Sequence, residues 1–199
     1  MINGSSRQST MISMEAAKKS WHPEFAPSYT PMEMLDLGIF EGIYTAAITS
    51  IPSKYKQHKK VLKRGSEPDI SINHYGIKSR QSLKEWQRKG WTTKASPLGW
   101  WEWYIKYFEG RRLGKEDDKQ IARWKSFVAR HMGQVAASCR LGDEKCHTKQ
   151  RQGLLQWAWD STTKFDEDQR EKNLKRIARL AGVTVEEVST ESLPASFRW

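Results

Sequence analysis

"SPLGWWEWYIKYFEGRR", residues 96–112, decides how this chain is read. Six aromatic residues (Trp100, Trp101, Trp103, Tyr104, Tyr107, Phe108) fall within nine positions, and Arg111 and Arg112 close the run. Placed on a helix, the rings cover an arc of about 160°, with Glu102, Lys106 and Glu109 opposite. Ser96 and Pro97 mark its start, and Gly110 its end. That is the pattern of a helix packed on a core. An ordinary core face, however, favours Leu, Ile and Val, and each indole N–H or phenol O–H needs a partner once buried. The stretch therefore admits a second reading. One edge packs, while the other offers Trp100, Trp101, Trp103, Tyr104 and Tyr107 to a flat ligand, with Arg111 and Arg112 placed to meet phosphate.

The charge balance gives that second reading its weight. There are 34 Lys+Arg against 23 Asp+Glu, a formal net charge of +11. Such a surplus attracts polyanions by field alone; nucleic acid is the commonest, an anionic membrane surface the next. No run of about 18 apolar residues exists to span a bilayer, and "MINGSSRQSTMISMEAAKK" lacks the apolar core of a secretory signal. The reading predicts an intracellular, cytoplasmic protein with no membrane partner. Two cysteines exclude a disulfide framework as the basis of the fold.

The rest of the chain reads as mostly α, a compact multi-helix domain. Residues 1–20 are polar and Ser-rich and read as a flexible tail; 21–165 form the helical core domain; 166–199 form a helix-turn-helix-like segment. In "TPMEMLDLGIFEGIYTAA", Thr30, Pro31 and Glu33 make a capping box for a helix that Gly38 and Gly42 weaken. "GSEPDISINHYGIKS" carries turn signals around a short strand or hairpin near 69–78. Ser79 or Ser82 caps a helix through Lys89. "GKEDDKQIARWKSFVARHMGQVAASC" is the clearest amphipathic helix, with acids in its first turn and Ile121, Trp124, Phe127, Val128 and Val135 at helical spacing. "HTKQRQGLLQWAWDS" reads as another.

Three basic clusters are candidate phosphate contacts. "KYKQHKKVLKR" (54–64) holds six Lys/Arg and no acid, with Lys59 and Lys60 at its centre. Arg123 and Arg130 lie beside the apolar stripe of the long helix. Lys149, Gln150 and Arg151 share one turn, where the cations suit phosphate and the glutamine a base edge. His131, Cys139, Cys146 and His147 could surround a metal, but the spacing fits no zinc module and adjacent Cys146–His147 is awkward for one ion. The expectation is buried free thiols, ahead of a metal site or a redox-labile pair, with no metal or cofactor assigned.

G-W-W-E-W-Y…G-R-R (99–112), D-D-K-Q-I-A-R-W (117–124), R-H (130–131), Cys139, Cys146 and R-Q-G-L-L-Q-W-A-W-D (151–160) together resemble an uncharacterised family of phage, bacterial and eukaryotic hypothetical proteins. The resemblance covers roughly residues 90–160 and implies no activity. "RIARLAGVTVEEVSTES" (176–192) resembles the helix-turn-helix of bacterial repressors, with Gly182 as the turn and Thr184 capping the second helix. Glu186, Glu187 and Glu191 on that second helix oppose a phosphate-lined groove, so the basic first helix (Arg170, Lys172, Lys175, Arg176, Arg179) is the better contact.

The sequence thus predicts a nucleic-acid-binding protein, DNA in preference to RNA. Two alternatives stand beside it. One is an enzyme on nucleotides or bases, with Asp160, Glu102 or His131 moving protons. The other is a basic subunit of an assembly with protein partners.

Overall fold

A computed structural model describes residues 20–185. The expected tail, residues 1–20, lies outside them except for Ser20, as does the expected recognition helix after Val185. The fold is mostly helical. Among the described residues seven α-helices follow one another: α1 Pro31–Leu37, α2 Ser53–Lys56, α3 Leu83–Arg88, α4 Trp100–Phe108, α5 Lys115–Ser138, α6 Thr148–Gln156 and α7 Glu167–Ala181. One parallel strand pair, β1 Ser20–Trp21 with β2 Thr184–Val185, joins the two ends of the described chain.

The aromatic helix α4 forms the middle of the core, with seven of its nine residues buried. Phe25 sits among its rings, with centroids between 5.2 and 5.5 Å from those of Trp21, Trp103, Tyr104, Tyr107 and Trp124. Mostly edge-on contacts suit the ring quadrupoles. The long helix α5 contributes Ile121, Trp124, Val128, Met132 and Val135, as its spacing requires. α7 closes the core with Ile177 and Ala178, and its Asn173 amide donates to Ala26 O and Ser28 Oγ.

Local signals set several helix ends. The Thr30–Glu33 box forms in both directions, at 2.8 and 3.2 Å, and Ser82 caps α3 through the Glu85 amide. Gly182 ends α7 in the left-handed region. Elsewhere the structure departs from the expectations. α4 starts at Gly99 (φ 78°), not Ser96; Ser96 closes a turn with Thr93 and receives an Arg111 N–H. Trp86 needs the room, since a Cβ on Gly99 would lie 3.1 Å from its ring. No strand forms at 69–78. Ile70–Ile72 is a 3-10 turn, and its neighbours bond to residues 38–42 instead: His74 N to Gly38 O and Asp69 N to Glu41 O. Thr184 pairs with Ser20 in β2, and the second helix it was expected to cap lies outside the described residues.

The segment after α1 explains the lost strand. The chain leaves its helix at Gly38 (φ 107°) and winds through Phe40, Glu41, Gly42 and Tyr44, all at positive φ. Residues 62–74 pack directly on this loop. A Cβ on Gly38 would stand 1.9 Å from Ile72 O, so only glycine fits. Gly142 has a similar φ of 81° but open space around it. Gly38→Ala is expected to cost more than about 3 kcal/mol or prevent folding, whereas Gly142→Ala costs only the left-handed strain of about 1–2 kcal/mol. Urea unfolding of both variants measures the difference.

Candidate nucleic-acid interface

Along α5, Arg123, Phe127 and Arg130 recur at i, i+4 and i+7, on one flank of the buried stripe. That flank forms one wall of a cleft of about 430 Å³. α6 supplies the facing wall with Gly153, Gln156 and Trp157. The Phe127 and Trp157 rings stack at 4.6 Å and 12°, and Trp157 stacks in turn on Trp100 at 4.9 Å. A Cβ on Gly153 would make ordinary van der Waals contact with the Phe127 ring at 3.4 Å. Trp86 of α3 rests on Tyr44 at 5.3 Å, and Trp91 follows after the turn at Gly90.

The polar lining of this cleft has one sign. Arg123 and Arg130 line it, and no carboxylate does. Among the described residues neither arginine has a carboxylate within ion-pair distance. Arg123 is half-buried, lies 5.8 and 6.0 Å from the Trp91 and Trp157 centroids, and donates to Trp91 O and Gln120 Oε1. Burial lowers its pKa, yet a guanidinium stays charged in protein. A cation partly stripped of water and given only neutral partners has its strongest attraction left for an incoming anion. A larger cavity of about 890 Å³, where the C-terminal half of α5 meets the start of α7, mixes Glu144, Asp166 and Glu167 with Arg140, Lys164 and Arg170. That mixture favours no charge.

The residues expected at the interface separate into two groups. Trp101, Trp103, Tyr104 and Tyr107 are at most 2% exposed and belong to the core, so none is free to stack on a base. Trp100 and Trp101 line the floor of the cleft. Arg111 and Arg112 are structural: Arg111 donates to Ala95 O and Ser96 Oγ, while Arg112 donates to Tyr107 O and lies 3.8 Å over the Tyr107 ring. Arg151, 4% exposed, gathers Cys146 O, Asp143 O and Ser161 O. Arg111 and Arg151 turn inward to carbonyls of the surrounding turns, and Arg112 to the last turn of α4. Lys60 is tied to Leu37 O at the end of α1, whereas Lys59 is exposed. Lys149 is exposed and Gln150 half-buried, one turn before Gly153 on α6. On α7, Arg170 bonds Glu24 and Glu167, and Arg176 bonds Glu33 and Ser28 O.

The proton-transfer candidates do not assemble. Glu102 pairs with Lys106 and accepts from Leu98 N, Asp160 closes a turn on Thr162, and His131 lies tilted against Phe127; none lines the cleft. Cys139 and Cys146 are not free thiols. They form a disulfide, Cα–Cα 5.7 Å, beside His147, while His131 stands outside that group.

Trp86, Trp91, Gln156 and Trp157 were not singled out by sequence reasoning, and Phe127 was counted as core. The available signal was weak: indoles outside the dense run, each within a few positions of a cation. Comparisons with protein-family models, curated proteins and solved structures find no match to this chain.

The two kinds of arginine predict opposite costs. Arg151→Met strands three carbonyls and is expected to lose about 2–4 kcal/mol of stability. Arg130→Ala, at the exposed rim, should stay within about 0.5 kcal/mol of the parent in the same urea titration.

Proposed function

We propose that this chain binds nucleic acid, DNA in the first instance, by taking unpaired nucleotides into the cleft between α3, α5 and α6. The carrying observation is the lining itself: aromatic rings beside two arginines that have no carboxylate partner. Every base has a π-face, and stacking on a protein ring contributes about 1–3 kcal/mol per base. Trp86 and Trp91 are only half-buried and supply those faces. Arg123 and Arg130 meet the phosphates, and Lys149, on the Gly153 face of α6, extends the cationic track. The net charge of +11 steers the strand toward the protein at long range. The motifs that carry the family resemblance include Trp100, Arg123, Arg130, Gln156 and Trp157, all of which line the cleft.

A labelled single strand of about ten nucleotides tests the reading. Saturable binding that weakens with salt is expected, with quenching of tryptophan fluorescence. Arg123→Ala together with Arg130→Ala should lower affinity about tenfold or more and reduce the salt slope by about 1.4. Trp91→Ala should weaken binding several-fold, while Lys145→Ala, in the loop between the cysteines, should not. Parent-like affinity and salt slope in the double arginine variant would refute the assignment.

A further inference from the structure

The cleft is lined by one carboxamide whose N–H bonds have no acceptor among the described residues. Gln156 ends α6 and is 5% exposed. Its Oε1 accepts the Phe40 backbone N–H at 3.2 Å and the Ser79 hydroxyl at 2.6 Å. A backbone amide can only donate, so this contact fixes which end of the carboxamide is oxygen. The Nε2 group, with two N–H bonds, has no acceptor among the described residues. Trp100, also 5% exposed, lies beside it with its indole N–H sealed from solvent. Both residues line the cleft, and Arg123 and Arg130 add further donors. The one glutamine oxygen at the rim, Gln81 Oε1, already accepts from Lys89 Nζ.

The strained loop holds this arrangement in place. Phe40 presents its N–H to Gln156 from the left-handed region (φ 51°), followed by Glu41 (φ 56°) and Gly42 (φ 76°). Glu41 is held by Arg80 at 2.6 Å, and its backbone N–H donates to Asn73 Oδ1 at 2.8 Å. Left-handed residues of this kind persist only where the surroundings over-determine them. Here they set the orientation of one carboxamide.

Resting on the nucleic-acid reading, we infer that the cleft selects a 6-oxopurine, guanine or hypoxanthine, over adenine. Such a base offers two adjacent acceptors, O6 and N7, on one edge. Adenine puts an amino group where O6 would be, and its N–H would face the Gln156 N–H bonds. Gln156 cannot turn its oxygen to adenine in the usual bidentate pairing without releasing Phe40 and Ser79. The pairing that guanidinium groups favour, O6 with N7, points the same way.

The test changes single atoms of the ligand and leaves the protein intact. An oligodeoxyadenylate of about ten residues is compared with the same strand carrying one central hypoxanthine, one guanine or one 7-deazaguanine, by anisotropy at fixed salt. Hypoxanthine and guanine should each tighten binding about tenfold over adenine, and 7-deazaguanine should lose much of that gain. In Gln156→Met the preference should shrink to about twofold or less, whatever the change in overall affinity. Equal affinity for all four strands overturns the base preference and leaves the nucleic-acid reading standing. Absence of binding by every strand removes the nucleic-acid reading and this inference with it.

Discussion

The aromatic helix can lie inside the protein only because nearly every polar atom on its rings meets a partner from elsewhere in the chain. Trp101 Nε1–H donates to Thr45 Oγ1, Trp103 Nε1–H to Asp117 Oδ1, and Tyr104 O–H to Tyr29 O, while the Tyr107 oxygen accepts His22 N–H. A buried donor without an acceptor costs about 1–3 kcal/mol, so these bonds act as positional constraints. They fix the lead-in to α1, the turn at 45–47 and the start of α5 around one helix. The architecture follows from satisfying the rings of α4, and Trp100 is the member whose sealed N–H is left without an acceptor.

Arginine serves two separate purposes in this molecule. Arg111, Arg112 and Arg151 direct their N–H groups at backbone carbonyls of turns and of the last turn of α4. Carbonyls accept hydrogen bonds without cancelling charge, so those residues still contribute to the positive field. They have few donors left for short-range contact. Arg123 and Arg130 are the reverse case, with aromatic surroundings and no carboxylate. The field is broad, while the capacity to grip a phosphate is local.

The cleft is shaped by residues that contribute no ring. Gly99 lets Trp86 lie against the start of α4. The left-handed run 40–44 brings Phe40 under the same space, 5.8 Å from Trp101 and 6.4 Å from Trp86. Strain and small residues cluster where flat rings must approach backbone. Rings held in this way lose little freedom when a ligand stacks on them, which favours binding.

Helical class, the capping box at Thr30, the cap at Ser82, the long amphipathic α5 and the stop at Gly182 were all legible in the sequence, because each is set by residues within about one helical turn of one another. The surplus of positive charge was equally plain. Periodicity gives the side of a helix but not what covers it. It could not tell that the second edge of α4 would be sealed, nor that Phe127, read as core, would face an opening with Trp157. The inward turn of Arg111 and Arg151, the disulfide at Cys139–Cys146 and the loss of a strand at 69–78 arise from partners that local pattern does not specify. Composition and local spacing determined a basic, helical, ring-rich chain; long-range packing decided which rings and which cations remained for a ligand, because burial and pairing depend on segments brought together only by the fold.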